Sequence, residues 1–247
     1  MNSKLLFLSL IAMFAIQSAS AGNPVMESAL NADIRSADDK ARDASRKPAE
    51  TLAFFEVTPE SRVLELMPGG GWYTKILGNY LKEKGALYVG IGANPERLKL
   101  ADNQLEHVKI VAADVKLKPT ELRGTYDGVV DSFGVNDLDV VLTFRNMHNL
   151  SESARLSINK AVFESLKPGG IYGIIDHTKR HMEAYSEERW RRVDPVQMIK
   201  EVQSVGFVFE DYSDLHARAA DKLIYDSTHE SIGRDSDRFT LKFRKPD

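Results

Sequence analysis

Val63-Leu64-Glu65-Leu66-Met67-Pro68-Gly69-Gly70-Gly71-Trp72-Tyr73-Thr74 decides how the rest of this 247-residue chain is read. Residues from Arg62 to Leu66 are β-prone and mostly apolar, as a buried strand requires. Three glycines follow; they carry no Cβ to block a ligand, and they tolerate left-handed backbone. Beyond them Trp72, Tyr73, Ile76, Leu77, Tyr80 and Leu81 recur at helical spacing, and Gly85 stands where a C-terminal cap belongs. A strand, a glycine turn and a helix start together aim unpaired backbone N–H groups at the space over the strand end. The pattern points to a nucleotide-type ligand.

Toward the N-terminus, Lys4, the apolar run Leu5 to Ile16 and Ala19-Ser20-Ala21 predict a secretory signal over residues 1–21, cleaved after Ala21. The run is too short to span a bilayer comfortably, so no stable membrane insertion is expected after cleavage. Export to the periplasm follows as an expectation. Residues 22–47 mix both charge signs, with Arg35, Asp38, Asp39, Arg42, Asp43 and Arg46 among them. They read as a polar N-terminal arm or solvated helix, or as a lid whose Arg and Asp side chains reach the site. Residues 48–247 form the single expected domain. The chain has no cysteine, which removes disulfides, thiolate metal sites and cysteine nucleophiles. A net charge of −3 with no basic run gives no electrostatic case for nucleic acid.

Toward the C-terminus, strands and helices alternate. Strands are expected over Ala86 to Ile91, Val108 to Ala112, Asp139 to Phe144 and Ile171 to Ile175. Helices are expected from Asn94-Pro95 through Leu105, from Ser151 to Leu166, and from Asp194 to Gly206, where Gln197 would complete a capping box. Residues 115–137 read as loop with one short helix. Phe207 to Tyr212 and Arg238 to Arg244 close the chain as two late strands. This alternation predicts an α/β, Rossmann-like doubly wound sheet, mostly parallel, with helices on both faces. Ligands then bind beyond the carboxyl ends of the strands.

A dinucleotide site wants G-x-G-x-x-G, but its third glycine falls here on Thr74. The wider pattern instead resembles the class I S-adenosylmethionine-dependent methyltransferases. Glu65 through Gly71 matches their first motif in register, with Met67 at the usual first glycine. Asp114, Asp139-Val140-Val141-Leu142 and Leu166-Lys167-Pro168-Gly169-Gly170 match later segments in order. Arg145-Asn146, His148, Asp176-His177 and Asp237-Arg238-Phe239 are shared with exported bacterial predicted methyltransferases. The resemblance implies an antiparallel C-terminal strand pair, S-adenosyl-L-methionine as cofactor and a small-molecule acceptor. It places Glu65 on the cofactor's amino group and Asp114 on the adenine. Gly69, Gly70, Gly71 and Tyr73 lie along the cofactor, and Asn94 near the ribose. The acid that usually ends the second strand is Gly92 here.

Methyl transfer needs alignment and the exclusion of water, and a base only where the acceptor must lose a proton. His148, Asn146, Asp176 and His177 are the candidates, since they follow strand ends facing one crevice. Adjacent residues of an extended segment point opposite ways, so Asp176 and His177 are not expected to meet side by side. His177 and His181 lie four apart with no third ligand nearby, and no metal site is expected. A binding protein of the cell envelope, built on the same scaffold without turnover, is the alternative function.

Overall fold

The computed structural model describes residues 23–102, 104–111, 115 and 117–247. The expected signal segment and Asp114 lie outside the described residues. Among the described residues there are nine strands: β1 (Arg62–Leu66), β2 (Ala86–Gly90), β3 (Lys109–Val111), β4 (Lys118–Pro119), β5 (Tyr126–Asp127), β6 (Leu138–Phe144), β7 (Leu166–His177), β8 (Val208–Tyr212) and β9 (Arg238–Arg244). Seven form one sheet in the order β3-β2-β1-β6-β7-β9-β8, while β4 and β5 pair separately. Strands β1, β2, β3, β6 and β7 run parallel. β9 is antiparallel to both β7 and β8. The doubly wound, mostly parallel sheet is the architecture the alternation predicts, and its antiparallel end is the one the resemblance implies.

Successive strand residues enter opposite layers, as a pleated strand covered on both faces requires. Val63, Val140, Leu142, Ile171 and Ile175 pack into one core with Leu52, Phe55, Ile76 and Leu77. Leu64, Leu66, Val141, Tyr172 and Ile174 enter the other with Ile158, Val162, Met198 and Val202. The helices that supply these layers are α1 (Pro24–Asn31), α4 (Pro48–Phe54) and α5 (Trp72–Leu81) on one side. On the other lie α7 (Glu152–Ser165) and α8 (Pro195–Ser204). Two four-residue turns of helix, α2 (Ala37–Lys40) and α3 (Asp43–Arg46), sit between α1 and α4, and α6 (Pro95–Leu98) follows β2.

Several local expectations change. The helix after Asn94 stops at Leu98, because Lys99 takes φ 51°. No helix occurs among the described residues of 115–137, where β4 and β5 pair instead. Gly85 lies beyond the end of α5; a Cβ there would meet the Ser61 carbonyl at 2.6 Å and the Pro59 carbonyl at 2.7 Å. Close backbone approach, not a cap, is its reason for being glycine. Asp194 caps α8 by accepting from Val196 N and Gln197 N. The Gln197 amide donates instead to Glu201 at 2.8 Å. Among the described residues no helix is long and apolar enough to cross a membrane.

Glu201 also ties the two outer helices together. Arg155 of α7 donates to it through Nε and Nη2, both at 2.6 Å, and through Nη1 to the Leu150 carbonyl at 2.6 Å. Both side chains are buried. Leu150 ends the turn that carries His148, so this pair fixes one loop of the site. Removing one partner strands a buried charge, which typically costs about 3–5 kcal/mol. Glu201→Ala is therefore expected to lower stability by that order in urea unfolding. A loss below about 1 kcal/mol would mean that Arg155 finds water on its own.

Candidate functional site

The turn after β1 is built from alternating left-handed residues: Met67 (φ 50°), Gly69 (φ 59°) and Gly71 (φ 77°). A Cβ at Gly69 or Gly70 would meet nothing within 4 Å, so both border open space. At Gly71 it would press on Leu98 Cδ2 at 3.0 Å, and the turn is therefore closed on that side. Glu65, the fourth residue of β1, is fully buried behind the turn. Thr74, one turn into α5, donates its hydroxyl to Glu65 Oε2 at 2.6 Å. No cation pairs with this carboxyl among the described residues. Burial pushes it up to about 7, against the smaller opposing effect of the Thr74 hydrogen bond.

Beside it, the ends of β6 and β7 are locked to each other. Arg145 takes φ 63°, and its backbone N–H donates to the Ile175 carbonyl at 2.7 Å. The Asn146 amide donates to the carbonyls of Met67 and Phe144, both at 3.1 Å, which joins the β6 loop to the glycine turn. Asp176, wholly buried, accepts from His148 N at 3.0 Å, from the His148 ring at Nδ1 at 2.6 Å and from His177 N at 2.7 Å. That network assigns the His148 proton to Nδ1. The His177 ring bonds Ser236 Oγ through Nδ1 at 2.9 Å. Burial holds its pKa well below the usual imidazole value, and His148, Arg145, Arg238 and Arg192 push the same way. His177 is neutral at physiological pH.

Two further segments cover the strand ends. Two of the charged residues before α4 are docked and not solvated: Arg35 and Arg46 are buried. Arg35, Arg42 and Arg46 all stand over the Trp72 ring, Arg46 at 4.4 Å. Trp72 Nε1 donates to the Asp39 carbonyl at 2.9 Å, and Lys75 pairs with the Asp39 side chain at 2.8 Å. The Arg46 carbonyl is held by the Thr51 hydroxyl at 3.0 Å and by His216 Nε2 at 2.9 Å. The second cover is the long connection 213–237 between β8 and β9. A buried Arg192–Asp221 pair at 2.8 Å anchors it.

Under these covers lie two adjoining spaces. A cleft of ≈ 190 Å³ is lined by Glu65, Gly69, Gly70, Trp72, Tyr73 and Asn146, among others. A cavity of ≈ 410 Å³ is lined by His177, Ser227, Ser236 and five arginines. Asp39, Arg42, Arg46 and Arg145 belong to both walls. Tyr73 stacks on Phe144 with ring centroids 3.6 Å apart, closing one side with apolar surface.

The predicted site residues divide accordingly. Glu65, Gly69, Gly70, Tyr73 and Asn146 line the cleft, and His177 lines the cavity. Gly71 caps α5. His148 and Asp176 line neither space; they form a buried node behind the wall. Asn94 spends its side-chain oxygen on capping α6, accepting from Arg97 N at 2.8 Å. Gly92 has φ +70° with open space around it, so a carboxylate placed there would carry backbone strain. His181 bonds Asp194 at 2.8 Å and does not join His177. Arg42 and Arg46 reach both walls, as the lid alternative for residues 22–47 has it; Ser227, Arg234 and Ser236 are missed by sequence reasoning, because their convergence is long-range.

No protein-family model matches the chain. Over 132 residues it is 32% identical to an uncharacterized methyltransferase of Synechocystis sp., covering 52% of this chain and 51% of that protein. The chain thus matches about half the length of this curated relative. A SAM dependent methyltransferase from Aquifex aeolicus superposes with a TM-score of 0.56 at 16% identity, over 85% of this chain and 96% of that one. The chain has the class I methyltransferase fold. Human N-acetylserotonin methyltransferase, solved in complex with SAM, gives a TM-score of 0.55 at 12% identity, over 94% of this chain and 60% of that one. The [4+2]-cyclase SpnF is equally similar, with a TM-score of 0.55 at 15% identity, over 82% and 80% of the two chains. A fold shared by methyltransferases and a cyclase does not fix the reaction, which has to be argued from the site.

Glu65 gives the first test. Its folded pKa of about 7 lies above the ordinary 4.5, so between these values the folded chain holds the proton more tightly. The stabilising effect is full below 4.5 and is lost as pH rises through about 7. The resulting penalty at alkaline pH is on the order of 3 kcal/mol. Glu65→Gln, which keeps an acceptor for Thr74, is expected to melt higher than the parent at pH 8 and level with it near pH 4. Equal melting curves across that range would show that Glu65 is not titrating in the fold.

Proposed function

We propose that the chain is an S-adenosylmethionine-dependent methyltransferase acting on a small-molecule acceptor. The observation that carries this reading is the pairing of Glu65 with the open glycines. A buried carboxyl without a cation stands at the end of β1, and Gly69 and Gly70 leave free space in the cleft that it lines. Arg46 adds, in the same wall, a buried Nη2 with no hydrogen-bond partner among the described residues. A ligand with an ammonium and a carboxylate on one carbon fits that donor set: Glu65 for the first group, Arg46 and Arg42 for the second. The methionine end of S-adenosylmethionine is such a group.

The cofactor would supply an electrophilic methyl group on a sulfonium. Glu65 would hold its ammonium group and Arg42 and Arg46 its carboxylate, and an acceptor that carries a proton would need a neighbouring base to take it. The chain's part is binding, alignment and the exclusion of water. Tyr73 and Phe144 close the wall with stacked rings. Asn146 holds the β6 loop against the glycine turn. His177 presents a neutral imidazole to the cavity, and Asp176 fixes its backbone. His148 acts behind the wall as a positioning residue, through Asp176. A second reading, a binding protein of the cell envelope without turnover, is favoured by one feature: Gly92 offers no carboxylate to the ribose.

Gly70→Val separates the cofactor site from the fold. Gly70 lies outside the left-handed region and borders open space, so the folded chain accepts a side chain there. The substitution is expected to leave Tm nearly unchanged and to weaken S-adenosylmethionine binding by more than tenfold in calorimetric titration. Parental chain that binds no cofactor at millimolar concentration would overturn the proposal.

A further inference from the structure

The larger cavity has an unbalanced charge. Arg42, Arg46, Arg145, Arg234 and Arg238 line it, against Asp38 and Asp39. Asp39 is already paired with Lys75, and Asp38 is exposed. None of the five guanidinium groups pairs with a carboxylate of the described residues. Arg145, half-buried, makes no side-chain hydrogen bond to the described residues. Arg238 donates only to the Arg234 carbonyl at 2.8 Å and, at 3.5 Å, to Ser236 Oγ. Buried cations without partners are costly, and folded proteins retain them chiefly where a ligand supplies the missing charge.

Two orphaned groups point the same way. Ser227 Oγ, in the wall of this cavity alone, and Arg46 Nη2, in the wall shared with the cleft and assigned above to the cofactor's carboxylate, are buried without a hydrogen-bond partner among the described residues. Arg46 is 6% exposed and Ser227 5%. The arginines also oppose one another. Burial lowers the pKa of Arg145, with Arg42 adding to it; burial lowers that of Arg42, with Arg234 adding to it. Burial, with the charges of Arg145 and Arg218, lowers Arg238 to about 10.

We propose that this cavity binds an oxyanion, a phosphate or carboxylate group, carried by the methyl acceptor. Calling the anion the acceptor rests on the methyltransferase reading; the anion site itself does not. One carboxylate on the cofactor is too little to balance the wall, because S-adenosylmethionine is itself a net cation and adds to the positive field. The acceptor is the remaining source of negative charge. A cavity of ≈ 410 Å³ limits it to a small molecule. Arginines offer the paired N–H donors that suit both carboxylate and phosphate oxygens.

The test uses the full chain without cofactor, so its outcome is independent of S-adenosylmethionine binding. Inorganic pyrophosphate and citrate are titrated at constant ionic strength, with Tm and calorimetric affinity as readouts. At least one anion is expected to raise Tm and bind saturably, and the tighter of the two distinguishes a phosphate from a carboxylate acceptor. Arg145→Gln and the exposed Arg234→Gln should each weaken that binding by about tenfold. In chloride buffer without pyrophosphate or citrate, Arg145→Gln should melt no lower than the parent, since it relieves repulsion. The inference fails if neither anion shifts the parental Tm or if both variants bind as tightly as the parent. It also fails if Arg145→Gln melts far below the parent while Arg234→Gln binds normally, since Arg145 is then structural. Cofactor binding without anion binding would sink this inference alone; anion binding without cofactor binding would sink the methyltransferase reading and leave the site.

Discussion

Strands that end together set everything else at this site. Parallel pairing fixes Leu66 opposite Thr143 and Phe144 opposite Ile175, so β1, β6 and β7 finish on one edge of the sheet. Beyond that edge the ladder cannot continue, and the backbone must turn. It does so through left-handed residues, Met67, Gly69 and Gly71 after β1 and Arg145 after β6. β9 runs the opposite way, so its first residue, Arg238, pairs with His177 at the same edge. Carboxylates at the strand ends and an arginine at a strand start thus gather at one edge of the sheet because of strand direction alone. Brought together there, Glu65, Arg145, Asp176 and Arg238 meet very different fates.

Asp176 is fully satisfied by three N–H donors and serves to join two loops. Glu65 has a single neutral donor, and the arginines around the cavity have almost no acceptors among the described residues. The same burial therefore yields a rigid node in one place and unmet electrostatic demand in two others. A carboxyl awaiting a cation and a ring of cations awaiting an anion lie in adjoining spaces that share Arg42, Arg46 and Arg145. That arrangement suits two ligands of opposite character placed side by side, as a cationic donor and an anionic acceptor would be. The covers at 23–47 and 213–237 lower the local dielectric and make each of these demands stronger.

Much of the fold is legible locally. The glycine turn, Ser151 before α7, Asp194-Pro195 before α8 and the alternation of Phe239, Leu241 and Phe243 each have one physical reading over a few residues. Glu65 is legible as well, since a lone acid in an apolar strand has little reason to be there except function. The acceptor side is not legible. Arg46, Arg145, Ser227 and Arg238 come from four distant segments, and a mixed-charge stretch such as 35–47 looks solvated until Trp72 is known to lie beneath it. His148 shows the remaining difficulty. Sequence places it after a strand end, but only its bond to Asp176 reveals that it stands behind the wall and not in it.

The central claim is that Glu65 gives up a proton to take the ammonium of a bound methyl donor. Proton release on S-adenosylmethionine binding, measured calorimetrically in buffers of different ionisation enthalpy, tests it most directly. One unit below the Glu65 value of about 7, the carboxyl is mostly protonated in the free chain. The account predicts release of close to one proton per cofactor bound there, fading above that value and absent in Glu65→Gln. Cofactor binding with no proton release at the lower pH, or with the same release in the Gln variant, would contradict it.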